Sequence, residues 1–330
     1  MIKHSRDRKD ELEPLEDADQ RKRKTNIDIS VIICTRERAE SLSRTLTSLQ
    51  NLRLAAGLTY ELLLIDNGSS DKTRELAHSF METNPEIYRY YYEPKKGKSN
   101  ALNLGIQKAQ GDILAFTDDD VIIDPNWLQK LWDTFVDNKH IVAVQGRILL
   151  QRELEALPPW IDSANPALLL ILPYYDPSAS PSYCETLVGA NMAFRREAFE
   201  IYGLFDPRLG PGASGFGEET EFGMRLKAAR KKILFQPAAT VFHEYCEERF
   251  TWDFWEQRID KQARGDVIVD TYIKKVKSKR YKRYMRMMEN YLKYWFYRAT
   301  RNTRKEYKYH WKYRYNKSYI SKLKTIQRTY

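Results

Sequence analysis

Only three cysteines occur in 330 residues, Cys34, Cys184 and Cys246, and they lie far apart. Such a chain has no disulfide framework, and reduced thiols in a cytosolic compartment are expected. His243 and Cys246 are spaced like half of a zinc site, but no second pair accompanies them, so zinc is not expected. Long apolar runs are missing as well. The best stretch, Ala167 to Leu172, falls far short of the ~20 residues a membrane-spanning helix needs. Residues 1–26 hold no apolar core of the kind a signal peptide requires, and their mixed charge without periodicity reads as a mobile leader. No full P-loop spacing is found, and no G-x-G-x-x-G stands directly after an expected strand as dinucleotide binding requires. These absences point to a chain that is soluble or bound at a membrane surface.

What is present is ordinary for a globular protein, with 42% hydrophobic and 30% charged residues. The net charge of +10 hides a division, however. Residues 273–330 carry 20 Lys or Arg against only Glu289 and Glu306, so the other 272 residues are net negative by 8. The same segment holds 11 of the 22 tyrosines, with Trp295 and Trp311. A basic, aromatic module is thus attached to a mildly acidic body. The densest patch runs from Tyr291 to Arg298. Its composition suits an anionic membrane surface or a membrane-embedded partner, and nucleic acid is the lesser alternative, with a plain solvated helix or an oligomer interface also open.

Within the body, short β-branched runs alternate with helical spacing. Ile29 to Cys34, Leu62 to Ile65, Ile87 to Tyr92, Ile113 to Phe116 and Ile141 to Val144 read as buried strands. Leu42, Leu46 and Leu49 mark a first helix, and Asp71 is placed to cap a second that runs to about Met81. Gly97 precedes a third helix over about 99–109, and Asp124-Pro125 predicts an N-cap and first position for a fourth, ending near Asn138. Residues 151–183 are Pro-rich and read as a surface excursion. A Gly-rich loop at 203–217, a helix, and two strand-like pieces at 233–235 and 240–242 follow, with helix beyond Thr251. The fold class expected is α/β, a mostly parallel sheet flanked by helices, with ligands bound outside the carboxyl ends of the strands.

Polar clusters at those ends are the candidate sites, and each has a bland alternative. Asp118-Asp119-Asp120 follows the fourth strand. Three adjacent carboxylates repel one another unless solvated or neutralised, and a divalent cation shared with a nucleotide diphosphate would neutralise them. Asp66-Asn67 could hydrogen-bond a base or ribose, or simply shape a turn. Glu218 and Glu219 open a helix, where acids act as caps, or where one could serve as general base. Lys95-Lys96-Gly97-Lys98 could meet phosphates or be a solvated loop. His243 ends a strand as a third metal ligand or as an ordinary hydrogen-bonded histidine.

Taken in order, these motifs resemble glycosyltransferase family 2. The resemblance runs from Ile32-Ile33-Cys34-Thr35-Arg36 through Leu63-Leu64-Ile65-Asp66-Asn67-Gly68-Ser69-Ser70-Asp71 and Gly97-Lys98-Ser99-Asn100-Ala101-Leu102-Asn103 to Phe116-Thr117-Asp118-Asp119-Asp120. Gly189-Ala190-Asn191, Gly203-Leu204-Phe205-Asp206, Gly217-Glu218-Glu219-Thr220-Glu221 and Val241-Phe242-His243 continue it, over about 27–265. The resemblance implies a GT-A fold in three parts: the leader 1–26, a transferase domain 27–265 divided near 150 into donor and acceptor halves, and a basic helical extension 266–330. It further implies inverting transfer from a nucleotide sugar to a saccharide or lipid-linked acceptor on the cytoplasmic side of a membrane. Thr35, Arg36, Asp66, Asn67, Lys98, Asp118 and Asp119 would bind donor. Asp118, Asp120 and His243 would hold Mn2+ or Mg2+, and Glu219 or its neighbour Glu218 would be the base. Glu219 stands where the family usually has aspartate, which leaves a catalytically silent, sugar-nucleotide-binding relative as an alternative. A nucleotidyltransferase is disfavoured, because Thr35-Arg36-Glu37-Arg38 has no glycine after the first strand.

Overall fold

The computed structural model describes residues 27–152, 174–273 and 280–329. The expected leader, the stretch Ala167–Leu172 and most of the Pro-rich excursion lie outside the described residues. Nine strands form one sheet among those described: β1 (Ile29–Thr35), β2 (Tyr60–Asp66), β3 (Tyr88–Tyr92), β4 (Ile113–Thr117), β5 (Val121–Ile123), β6 (Ala143–Leu150), β7 (Ser182–Cys184), β8 (Asn191–Arg195) and β9 (Ile233–His243). The order is β3-β2-β1-β4-β8-β6-β9-β5, with β7 on the first half of β9.

β1 to β4 pair in parallel. β8 is antiparallel to both β4 and β6, so it reverses the direction twice and leaves β6 aligned with β4. β9 pairs parallel with β6. Six strands therefore end on one edge, and the carboxyl ends of β1, β2, β4 and β9 open on the same side of the molecule.

Alternating side chains cover the two faces. Val31, Ile33, Leu62 and Leu64 pack against α1 (Ala39–Leu49), α2 (Thr73–Thr83) and α4 (Trp127–Asp137). Ile32, Leu63 and Ile65 face α3 (Lys98–Lys108), and α5 (Glu197–Tyr202) and α6 (Glu218–Ala228) share that layer. Under α6, Phe116, Phe194, Phe199, Phe205 and Phe222 pack with ring centroids 4.8–5.9 Å apart. That cluster fixes the helix whose first turn carries Glu218 and Glu219.

Several details differ from the sequence reading: the strand expected over Ile141 to Val144 is β6, Ala143–Leu150, and the second helix starts at Thr73 with Lys72, not Asp71, at its N-cap. The fourth helix starts at Trp127, because Asp124 folds back in a turn and accepts the Asn126 N–H through Oδ1 at 2.8 Å. The pieces at 233–235 and 240–242 are one strand, β9, whose register on β6 shifts between Gly146 and Arg147. The short strands β5, β7 and β8 were not expected, since none has a long apolar run.

The chain ends in three helices, α7 (Trp252–Ile268), α8 (Arg280–Ala299) and α9 (Thr303–Thr329). α9 lies along α7 in the same direction, with Trp311, Tyr315, Tyr319 and Leu323 against Trp255, Ile259, Ala263 and Val267. α8 folds back on α9 as an antiparallel hairpin, in which Tyr297 stacks on Tyr309 at 5.3 Å and Tyr291 meets Tyr313 at 5.0 Å. Residue 265 falls inside α7.

Candidate active site

The loop after β4 turns straight into β5, which pairs antiparallel with β9 so that Val121 sits opposite His243. This pairing is what brings Asp120 to the histidine. Asp120 Oδ1 lies 3.0 Å from His243 Nε2, while Nδ1 of the same ring is 3.0 Å from the Glu244 carbonyl. A donated Nδ1–H leaves Nε2 as the ligating nitrogen, the arrangement that commonly orients metal-bound imidazole. Ligand atoms of Asp118, Asp120 and His243 all lie within 4.8 Å of one another. Two hard carboxylates and one imidazole suit a divalent ion such as Mn2+ or Mg2+, so the residues present fit the expected metal.

Basic side chains crowd the same carboxylates. Arg38 Nη1 is 2.6 Å from Asp120 Oδ2, and Arg249 Nη2 is 3.6 Å from it. Burial opposes ionisation of Asp120, but the contact with His243 and the charges of Arg38 and Arg249 outweigh it and hold the carboxyl well below its usual range. Asp119 differs. It accepts a hydrogen bond from Thr35 Oγ1 at 2.7 Å, yet burial, only partly offset by Arg38, pushes it up to about 7. Lys98, the first residue of α3, forms an ion pair with Asp118. Burial works against the Lys98 charge, and Asp118 and Glu218 together more than restore it.

Across the cavity stand the two glutamates. Glu218 is buried against Gly210, where φ is +88° and a Cβ would lie 2.9 Å from the carboxyl carbon. Only glycine fits there without displacing the acid. Oε2 of Glu219 is buried with no hydrogen-bond partner. Burial first, and the adjacent Glu218 carboxylate second, raise the Glu219 carboxyl well above the ordinary range.

One cavity of about 410 Å³ joins these groups. Of the residues expected from the sequence, Thr35, Arg36, Asn67, Lys98, Asp118, Asp119, Asp120, Glu218, Glu219 and His243 line it, and Asp66 does not. Asp66 is fully buried, accepting the Ser69 N–H and the Tyr90 hydroxyl, both at 2.8 Å. Asn67 reaches the lining, but its side chain spans the loop before α3. Its Nδ2 donates to the Glu93 and Lys95 carbonyls at 3.0 and 2.8 Å, and its Oδ1 accepts the Gly97 N–H at 2.8 Å.

Sequence reasoning missed Arg38, Arg249 and Arg258, all in the lining. Arg258 projects from α7 and packs over the Phe216 ring at 4.0 Å; burial, then Arg249, lowers its guanidinium to about 10. Arg38 was within reach of a sequence argument, three residues past Thr35 at a strand end. Arg249 and Arg258 had no such signal. Five basic side chains, Arg36, Arg38, Lys98, Arg249 and Arg258, thus share the cavity with five acids. The balance suits a ligand that brings both anionic phosphates and a cation.

Comparison with known proteins identifies the relatives of this chain. The family model for glycosyl transferase family 2 matches residues 30–203. A glucosyl-dolichyl phosphate glucuronosyltransferase of Haloferax volcanii is 24% identical over 248 residues, covering 69% of this chain and 74% of that one. The succinoglycan biosynthesis protein ExoM of Rhizobium meliloti is 28% identical over 221 residues, covering 67% and 68%. Among solved structures, a mannosyltransferase from Pyrobaculum calidifontis in complex with GDP-Man and Mn2+ superposes with a TM-score of 0.52 at 18% identity. It covers 72% of this chain, which spans 61% of that structure's chain.

Proposed function

This chain belongs to glycosyl transferase family 2 and has the GT-A fold, and from that premise we propose how its cavity moves a sugar from a nucleotide-diphosphate donor to an acceptor hydroxyl with inversion. The observation that carries the reading is one cavity with an Asp118–Asp120–His243 ligand set on one side and an unpartnered, buried Glu219 oxygen on the other.

Asp118, Asp120 and His243 would hold the divalent ion, which when bound supplies positive charge to the departing diphosphate. Lys98, Arg38 and Arg249 can meet the remaining phosphate charge from fixed positions, without reorganisation during the reaction. Thr35 and Asp119, hydrogen-bonded to each other, and Arg36 lie at the β1 and β4 ends, where a ribose and base would rest. The roles of Asp66 and Asn67 are to shape the floor of that subsite. Glu219 takes the proton from the acceptor hydroxyl as it attacks the anomeric carbon from the face opposite the leaving group. Its raised affinity for a proton favours that transfer, and Glu218 maintains it. Holding both substrates in line supplies much of the remaining acceleration.

The named products of the relatives, succinoglycan and a dolichyl phosphate glycoside, support polysaccharide or glycoconjugate synthesis with a saccharide or lipid-linked acceptor. We place that work at the cytoplasmic face of a membrane, where nucleotide sugars are supplied.

The test is release of nucleoside diphosphate from a panel of UDP-, GDP- and TDP-sugars, with Mn2+, Mg2+ or EDTA. One donor should be turned over, EDTA should stop it, and Asp120→Ala should slow it by roughly 10²-fold or more. Undiminished turnover in EDTA and in both Asp118→Ala and Asp120→Ala would sink the metal assignment.

A further inference from the structure

The three C-terminal helices share a basic composition, but they do not share an environment. α9 is turned inward. Its aromatic ridge packs on α7, and its basic side chains meet acids there: His310 Nε2 is 3.0 Å from Glu256 Oε1, and Arg314 lies 3.4 Å from Glu256 and 3.6 Å from Asp260. Tyr315 and Tyr319 donate to Asp266 and Asp270 at 2.5 and 2.8 Å.

α8 is turned outward. It touches α9 through Tyr291, Tyr294 and Tyr297, and its opposite face is bare. Tyr281, Tyr284, Met285, Met288, Leu292, Trp295 and Phe296 are between 37 and 74% exposed. These positions recur every three or four residues over four turns, so they form one continuous stripe rather than scattered apolar residues. Nothing among the described residues covers it. Alongside the stripe, Arg286, Lys293 and Lys312 line a groove of about 410 Å³ between α8 and α9, whose one acid, Glu289, is paired with Lys293.

We propose that this face of α8 docks the protein on an anionic lipid bilayer, with the stripe seated at the acyl boundary and the flanking cations among the headgroup phosphates. Charge selects this occupant over the alternatives. A second copy would bring an equally basic face against this one, and like charges at close range oppose such a dimer. A bilayer supplies apolar depth and anionic phosphate together, and Trp, Tyr, Met and Leu beside Lys and Arg are the side chains that a helix lying in the interface uses. No described helix is long and apolar enough to cross the membrane, so the contact is with one leaflet's surface. The docking also has a structural link to the cavity, because α8 rests on α9, α9 on α7, and α7 carries Arg258 into the cavity wall. The inference stands independently of the transferase reading.

The experiment is co-sedimentation of the full chain with phosphatidylcholine vesicles, with and without phosphatidylglycerol, at low and high salt. The wild type should partition to the anionic vesicles and release at high salt. Leu292→Ser/Trp295→Ser/Phe296→Ser should bind at least roughly tenfold more weakly, with donor hydrolysis unchanged. Leu292→Lys separates insertion from plain charge attraction: it adds a cation, yet should weaken binding. Wild type that ignores both vesicle types would overturn the proposal. So would Leu292→Lys binding as well as the wild type, or a triple variant that loses self-association while holding vesicles normally.

Discussion

Glu219 is an acid whose surroundings resist its ionisation, and that resistance has a kinetic signature. A general base must be deprotonated to act, so the acid limb of the kcat/KM profile should lie above the ordinary carboxylate range. Two causes hold it there, burial first and the Glu218 charge second. Glu218→Gln removes only the second, making Glu219 easier to ionise, so its acid limb should move to lower pH while turnover remains measurable. Glu219→Gln should lose turnover by about 10²–10⁴-fold. The opposite pattern, an active Glu219→Gln and a dead Glu218→Gln, would exchange the two roles. At this scale the sequence showed which acids to compare but not how to tell them apart. The difference lies in Gly210, whose bare backbone seats Glu218 in the wall, and in the unpartnered Oε2 of its neighbour. Asp66 and Asn67 show the converse. Their turn chemistry was one of two readings from sequence, and their side-chain hydrogen bonds in the fold go to Tyr90 of β3 and to the loops beside it.

Elements with long apolar runs were legible because burial on both faces of a sheet leaves little room for other residues. β1, β2 and β4 fall within a residue or two of their expected limits. β8 was not legible. It begins with Asn191, a residue that strands usually avoid. The structure shows why it is there. Asn191 is fully buried where β6 and β9 lose register. Its Nδ2 donates to the Arg147 and Ala239 carbonyls at 2.8 and 2.9 Å, and its Oδ1 accepts Trp127 Nε1–H at 2.8 Å. One side chain thus ties together three elements at the irregularity that leads β9 to His243. Gly146 stands so close that a Cβ would lie 2.3 Å from the amide nitrogen. Asn191→Ala leaves two carbonyls and an indole N–H buried without partners, and should cost about 3 kcal/mol in urea unfolding. A loss under ~1 kcal/mol would mean that water replaces the amide and that the network does not hold the bulge.

For the whole molecule, the charge division seen in the sequence has a structural cause. The acids of α7, Glu256, Asp260 and Asp266, with Asp270 just beyond it, face the basic side chains and tyrosines of α9, so part of the tail's charge is spent on docking rather than on solvent. Composition alone could not separate α9 from α8, because both are basic and aromatic; only the partner helix does so. The docking also makes the tail a support for the cavity. Leu323 is 2% exposed and packs with Ala263, Val267 and Tyr319 at the far end of the α7–α9 seam. Leu323→Ala should cost about 2–4 kcal/mol, charged to that seam rather than to the sheet. The helices should then open locally before the α/β core does. Limited proteolysis should cut the variant within α9 first and leave a core fragment resistant. Donor turnover should fall with the appearance of that cut, because α7 loses the neighbour that holds Arg258 in the cavity wall. If the cut chain keeps full turnover, the sheet and its loops hold the cavity alone, and the tail serves only to place the enzyme.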